Sequence, residues 1–98
     1  MFIVDCEKYV VNKNGIIVEL SKTEFEIIKL LSEVPGKVYN RKDIFKKIWP
    51  EESNIKERTV DVHIVNLRKK LGASIIKTIK NVGYKLNISP VKIIERDE

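Results

Sequence analysis

The chain has 98 residues, of which 43% are hydrophobic, and these values predict one folded domain with a modest core. Its apolar runs are too short to cross a membrane, and its N-terminus lacks the basic region and the apolar stretch of a signal peptide. Cys6 is the only cysteine in the sequence, which excludes an internal disulfide. We therefore expect a cytoplasmic protein without membrane association.

The net charge of +5 is concentrated in one part of the sequence. Residues 56–80 contain seven basic and two acidic residues, whereas the 12 basic and 12 acidic residues elsewhere cancel. A local excess of positive charge is typical of a surface that meets a polyanion, although a merely solvated face gives the same count.

The first twenty residues have the pattern of short β-strands. Asn14-Gly15 lies between the apolar runs Tyr9-Val10-Val11 and Ile16-Ile17-Val18, and both turn residues tolerate a positive φ. These runs therefore predict a hairpin, and Phe2-Ile3-Val4 predicts a further strand before it.

A first helix is predicted between two clear boundary signals. The segment Ser21-Lys22-Thr23-Glu24 has the pattern of a capping box, and Pro35-Gly36 ends the helix. Glu24 also lies on the apolar side of this helix, where a carboxylate needs a partner. Arg41 is the partner that we expect, in a structural role.

A second helix is predicted over residues 41–48, with Asn40 as its N-cap. Before it, Val38-Tyr39 predicts a very short strand. After it, Trp49 is expected to fill the core between helices, and a polar loop follows.

The third predicted helix is amphipathic in an unusual way. Asn54 and Glu57 offer a capping box at its start, and Gly72 ends it. Because successive residues of an α-helix are rotated by about 100° around its axis, the apolar residues fall in a stripe along one side. This stripe consists of Val60, Ile64, Leu67 and Leu71. The opposite side presents Arg58, Val62, Val65 and Lys69.

The chain then predicts a β-hairpin, because residues 75–79 and 84–88 are rich in β-formers and residues 81–83 can turn between them. A helix with an apolar back and a basic front has the shape that enters a DNA major groove. Lys80, at the hairpin tip, would then lie near the adjacent minor groove. The valines on the front suit thymine methyl groups, although single exposed valines need no special explanation.

The order of these features resembles the OmpR/PhoB-type effector domain of two-component response regulators. The resemblance covers residues 2–88, and its most specific part is residues 58–71. The matching residues are Ser21, Glu24, Phe25, Pro35, Gly36, Val38, Arg41, Trp49, Arg58-Thr59-Val60-Asp61-Val62-His63-Ile64, Leu67-Arg68-Lys69-Lys70-Leu71 and Gly83-Tyr84.

The resemblance implies an α+β fold, a winged helix-turn-helix with an N-terminal antiparallel sheet, three helices and a C-terminal β-hairpin wing. The domain is expected over residues 1–90. Residues 91–98 are expected to form a C-terminal tail, frayed from Ile93 onwards.

The resemblance also implies a role for each matching position, with a recognition helix over residues 57–71 and a wing over residues 75–88. The residues expected to contact bases or grooves are Asp61, Val62, Val65, Asn66, Lys69 and Lys80. Those expected to contact phosphates are Arg58, Thr59, His63, Arg68, Lys70 and Thr78. A loop of Pro50, Glu51, Glu52, Ser53 and Asn54 would touch RNA polymerase, unless it is a merely solvated loop.

The sequence departs from many family members at four positions of the predicted recognition helix and wing. Val65 and Asn66 replace basic residues, Lys80 replaces Arg, and Asn81 replaces Gly. Asn bonds adenine, Val favours the thymine methyl group, and a cationic wing favours a narrow minor groove. The departures therefore predict an A/T-rich half-site.

Double-stranded DNA with promoter direct repeats is thus the expected partner. The alternative is a winged-helix module for protein–protein interaction without specific DNA binding.

An enzyme is not expected, because the sequence has no clustered His, Cys and Asp residues, no phosphate-binding Gly loop and no metal-ligand spacing. We also expect no cofactor and no metal. If the chain is part of a longer protein, the resemblance implies a receiver domain and a cognate sensor kinase as further partners.

Overall fold

The computed structural model describes residues 1–51, 56 and 58–96, which form one layer of sheet, three helices and a separate hairpin. In chain order the elements are β1 (Phe2–Asp5), β2 (Val10–Lys13), β3 (Ile16–Glu19), α1 (Lys22–Glu33), α2 (Arg41–Ile48), α3 (Thr59–Leu71), β4 (Ile76–Ile79), β5 (Gly83–Leu86) and β6 (Val91–Ile94). None of the described helices has the length and apolarity needed to span a membrane.

The N-terminal hairpin is present as predicted. β2 pairs antiparallel with β3, and Asn14 and Gly15 turn the chain between them at φ values of 53° and 89°. Both residues thus occupy the left-handed region that a tight hairpin turn requires. The four-stranded sheet has the order β3-β2-β1-β6.

The C-terminal end of the chain corrects two expectations. Residues 91–94 form β6, which pairs parallel with β1 and so adds a fourth strand to the antiparallel sheet of β1, β2 and β3 that was predicted. Ile93 and Ile94 are therefore not frayed, and residues 91–94 are not a tail. The physical reason is the alternation in β6: Val91 and Ile93 pack against the core, while the Cys6 amide donates to the Ile94 carbonyl at 2.8 Å.

The capping box that starts α1 is confirmed, but the predicted partner of Glu24 is wrong. The Ser21 hydroxyl accepts from the Glu24 amide at 3.2 Å, and the Glu24 carboxylate accepts from the Ser21 amide at 2.9 Å. The same carboxylate pairs with the Lys70 ammonium at 2.7 Å rather than with Arg41. This ion pair, in which Glu24 is buried and Lys70 is partly exposed, ties the start of α1 to the end of α3.

α3 packs on the core through the stripe that the sequence predicts. Val60, Ile64 and Leu67 are 0% exposed and Leu71 is 2% exposed. The helix begins at Thr59, two residues later than expected, and Arg58 makes no side-chain cap. The capping box expected from Asn54 and Glu57 lies outside the described residues.

The hairpin of β4 and β5 is shorter at both ends than the predicted wing. A single bridge, rather than a strand, joins it to Tyr39: the Tyr39 and Tyr84 amides each donate to the other residue's carbonyl, at 2.8 and 2.9 Å. Gly83 makes this approach possible, because a Cβ at Gly83 would lie 2.1 Å from the Tyr39 carbonyl oxygen. The glycine therefore sets the distance between the wing and the helices.

We expect Gly83→Ala to lower the free energy of unfolding by about 1–3 kcal/mol, because backbone must move to admit the methyl group. Urea denaturation followed by far-ultraviolet circular dichroism measures the change. Lys77→Ala, on an exposed position of β4, is the control and should leave stability nearly unchanged. Equal stabilities for Gly83→Ala and Lys77→Ala would contradict the close approach.

The Glu24–Lys70 pair predicts a dependence of stability on pH. Burial raises the pKa of Glu24, but the hydrogen bonds from Lys70 and from the Ser21 backbone outweigh burial and bring the pKa below its ordinary 4.5. Because the folded-state pKa is depressed, the stabilisation is present above the unfolded-state pKa and is lost as pH falls through the folded-state pKa.

We therefore expect the free energy of unfolding to fall as pH drops below about 4.5, and the fall to be smaller in Glu24→Gln. Urea denaturation from about pH 7 to about pH 3 tests this. Glu33→Gln removes an exposed carboxylate from the same helix and should keep the wild-type profile. A Glu24→Gln profile parallel to that of the wild type would exclude the pair as a source of acid sensitivity.

Candidate nucleic-acid interface

The outward side of α3 carries most of the residues predicted to contact bases. Val62 is 58% exposed and Val65 is 48% exposed, Lys69 is also exposed, and Asn66 is half-buried beside them. We call these four residues the recognition face. They lie opposite the core stripe, so packing of α3 on the core presents them to solvent.

Asp61 is expected to face bases, but its carboxylate is bound by other side chains of the domain. Its carboxylate accepts from Arg41 Nε at 3.1 Å and pairs with Arg41 Nη2 at 3.0 Å. The Tyr84 hydroxyl donates to the same carboxylate. Burial, followed by this hydrogen bond, raises the pKa of Tyr84 above 10, so the hydroxyl keeps its proton and remains a donor.

Arg68 and Thr78, both predicted to contact phosphates, contact each other. Arg68 Nη2 donates to the Thr78 hydroxyl at 2.7 Å, and Nε and Nη2 donate to the Ile76 carbonyl at 3.1 and 2.8 Å. The guanidinium lies 5.9 Å from the centroid of the Tyr84 ring. Since the Thr78 oxygen accepts from Arg68, its hydroxyl proton is free to be donated to another acceptor.

The other predicted phosphate contacts have different surroundings. Arg58 is exposed at the start of α3, and Thr59 is half-buried beside it. His63 lies 5.8 Å from the ring of Trp49, and its Nδ1 is buried without a hydrogen-bond partner among the described residues. Lys70 is held by Glu24 through one of its three donors.

Trp49 fills the space between helices, as its type and position predict. Its ring lies 5.5 Å from that of Phe45, and it packs against the buried core. Of the predicted polymerase loop, Pro50 and Glu51 are exposed. Glu52, Ser53 and Asn54 lie outside the described residues.

Lys80 is exposed at the tip of the wing, as predicted. Asn81 follows it with a φ of 64°, the left-handed conformation that glycine adopts readily and that asparagine tolerates. A small cleft of about 240 Å³ separates the wing tip from Arg41 at the start of α2.

A second basic segment of the chain was missed in the sequence. Residues 37–47 hold five basic residues and one acidic residue, and all five are exposed. They are Lys37, Arg41, Lys42, Lys46 and Lys47. Outside residues 56–80 the basic and acidic residues are equal in number, so the total charge hides this segment. The net charge of successive short windows along the sequence would have revealed it.

Among the described residues, no three His, Cys, Asp or Glu side chains lie close enough together to hold a metal ion. A groove of about 630 Å³ is lined in part by Cys6, Glu26 and Lys29. Burial raises the pKa of the Cys6 thiol, which is the opposite of what activates a nucleophilic cysteine.

Comparison with known proteins gives the family. A family model described as "Transcriptional regulatory protein, C terminal" matches residues 13–86. The phosphate regulon transcriptional regulatory protein PhoB of Rhizobium meliloti is 36% identical over 87 residues, which are 85% of this chain and 38% of that protein. The chain thus spans about two fifths of the length of the curated relatives it matches.

Solved structures agree with this match. The DNA-binding domain of Bacillus subtilis CssR has a TM-score of 0.77 at 30% identity, covering 88% of this chain and 99% of that one. The Klebsiella pneumoniae RstA DNA-binding domain, solved in complex with the RstA box, has a TM-score of 0.71 at 31% identity, covering 81% and 83%. The α+β winged helix-turn-helix is thereby confirmed, and the chain belongs to the family of C-terminal domains of transcriptional regulatory proteins, the OmpR/PhoB-type effector domains.

Proposed function

We propose that this domain binds double-stranded DNA in a sequence-specific manner and regulates transcription, as the effector domain of a two-component response regulator. The observation that carries the proposal is the recognition face. A row of two exposed valines, one half-buried amide and one exposed ammonium on the outer side of a core-anchored helix suits readout of base edges.

Each residue of the recognition face suits a particular contact in the major groove. The Asn66 amide can bond adenine through both of its groups, and the methyl groups of Val62 and Val65 suit the thymine methyl. Lys69 can reach a purine or a nearby phosphate. The combination favours an A/T-rich half-site.

The wing and the helix ends would hold the duplex backbone. The Thr78 hydroxyl has a proton to donate, and a phosphate oxygen is an acceptor only. Lys80 at the wing tip would lie at the minor groove. Arg58, Thr59 and His63, with the remaining donors of Arg68 and Lys70, would contact further phosphates.

The wider roles follow from the family. The RstA domain named above was solved with its box DNA, and the curated relatives are longer regulators. We infer binding to promoter direct repeats in the cytoplasm, control by a receiver domain and a sensor kinase, and contact of residues 50–54 with RNA polymerase. The domain binds DNA and regulates rather than catalysing a reaction.

Selection from random-sequence duplexes tests the proposal directly. We expect an A/T-rich motif arranged as a direct repeat, and Asn66→Ala to lose preference at one base position while keeping the others. Failure to enrich any motif would point instead to a module for protein–protein interaction. A G/C-rich motif would refute the proposed use of Asn66 and the two valines.

Salt dependence tests the wing contact separately. The logarithm of the affinity should fall with the logarithm of salt concentration by about 0.9 per phosphate neutralised, and Lys80→Ala should reduce that slope by about one. Lys92→Ala removes an exposed lysine from β6, in the sheet, and should not change the slope. Equal slopes for Lys80→Ala and the wild type would remove Lys80 from the interface.

A further inference from the structure

The wing is attached to α3 through side chains at two separate places. At the first, Asp61 in the first turn of α3 accepts from Tyr84 on β5. At the second, Arg68 donates to the Ile76 carbonyl and to Thr78 on β4. Each strand of the hairpin therefore has its own anchor on the same helix.

The two anchors lie on one edge of α3. Asp61 and Arg68 are seven residues apart, which is close to two full turns, so their side chains leave the helix in nearly the same direction. The separation along the axis is about 10 Å, at 1.5 Å per residue. A hairpin held at one point can pivot, whereas two anchors at this distance fix its angle to the helix.

The first anchor is itself held in place by a third element. Arg41, the first residue of α2, contacts both oxygens of Asp61 through Nε and Nη2. A planar guanidinium bound in this way fixes the direction of a carboxylate as well as its position. Since the Arg41 side chain is 50% exposed and that of Asp61 is 33% exposed, the ion pair contributes little to stability, and orientation is its main effect.

These contacts also explain why an acidic residue stands at a DNA-facing position. A free carboxylate there would repel phosphates and would suit only the cytosine amino group. The Asp61 carboxylate instead receives three donor contacts from within the domain. Its charge is balanced by Arg41, and each of its two oxygens has at least one donor within the domain.

We propose that Arg41, Asp61 and Tyr84, together with the Arg68 contacts, form a brace that sets the angle between the wing and the recognition face. The brace determines DNA specificity by positioning, since the major-groove and minor-groove contacts must fit the same stretch of duplex. Asp61 and Tyr84 are thus positioning residues that do not read bases. The inference rests on the proposed function for its effect on DNA, but not for its effect on the wing.

Tyr84→Phe is the decisive variant, because it removes one hydrogen bond from a side chain that is only 8% exposed and keeps the aromatic ring. Tyr9→Phe is the matched control. It also removes a hydrogen bond from a phenol to a carboxylate, that of Glu26, but near α1 and away from the wing.

Residual dipolar couplings of backbone amides in the free protein measure the angle between the wing and α3. Affinities for the selected duplex and for a scrambled duplex measure specificity. We expect Tyr84→Phe to change the couplings of β4 and β5 relative to α3 and to lower the ratio of the two affinities about tenfold. Affinity for the scrambled duplex should stay within about twofold, because no phosphate contact is lost. Tyr9→Phe should change neither quantity.

Asp61→Asn and the double variant separate positioning from base readout. If Asp61 positions the wing, Asp61→Asn reproduces the effect of Tyr84→Phe, and the double variant is no worse than either single variant. If Asp61 reads a base, Asp61→Asn alters preference at one base pair and Tyr84→Phe alters nothing, which would overturn the brace.

The two measurements keep the two proposals apart. Couplings in Tyr84→Phe identical to those of the wild type would overturn the brace, whatever the DNA result. A wild type that does not distinguish the selected from the scrambled duplex would overturn the proposed function and, with it, the role in specificity. The couplings would still decide whether the brace sets the angle of the wing.

Discussion

Burial of one side of α3 constrains the rest of the structure. Val60, Ile64, Leu67 and Leu71 are almost fully buried. Each contributes about 2 kcal/mol on burial, and the total stability of a domain is only about 5–15 kcal/mol. α3 therefore has one rotational setting in which the domain folds. The same setting presents Val62 and Val65 to solvent and brings the edge that carries Asp61 and Arg68 against the wing, so the interface follows directly from the packing of the core.

Local signals in the sequence predicted most of the fold. The Ser21–Glu24 capping box, the Asn14-Gly15 turn and the apolar period of α3 each act within a few residues, and each is present in the structure. Such features are encoded by neighbouring residues and need no knowledge of the fold. The recognition face is also encoded locally, because its position on α3 follows from helical geometry once the buried stripe is known.

Contacts between distant residues were predicted less well. Whether Glu24 pairs with Lys70 or with Arg41 depends on the crossing angle between α1 and α3. The positions of charged residues along the chain do not give that angle. For the same reason the sequence predicts a base contact for Asp61 and does not reveal its contacts with Arg41 and Tyr84. β6 was missed because four residues after a proline give a weak strand signal, and the partner strand lies at the other end of the chain.

The pairing of β6 with β1 changes where the folded unit ends. The family match stops at residue 86, but the sheet continues to Ile94, and β6 occupies the edge of β1 that would otherwise have unpaired amides and carbonyls. A fragment that keeps the N-terminus but ends at residue 86 would retain α3 and the wing yet expose that edge beside Phe2 and Val4. An uncovered edge with apolar neighbours pairs readily with other chains. Such a fragment would therefore be prone to aggregate, even though every residue of the proposed interface would still be present.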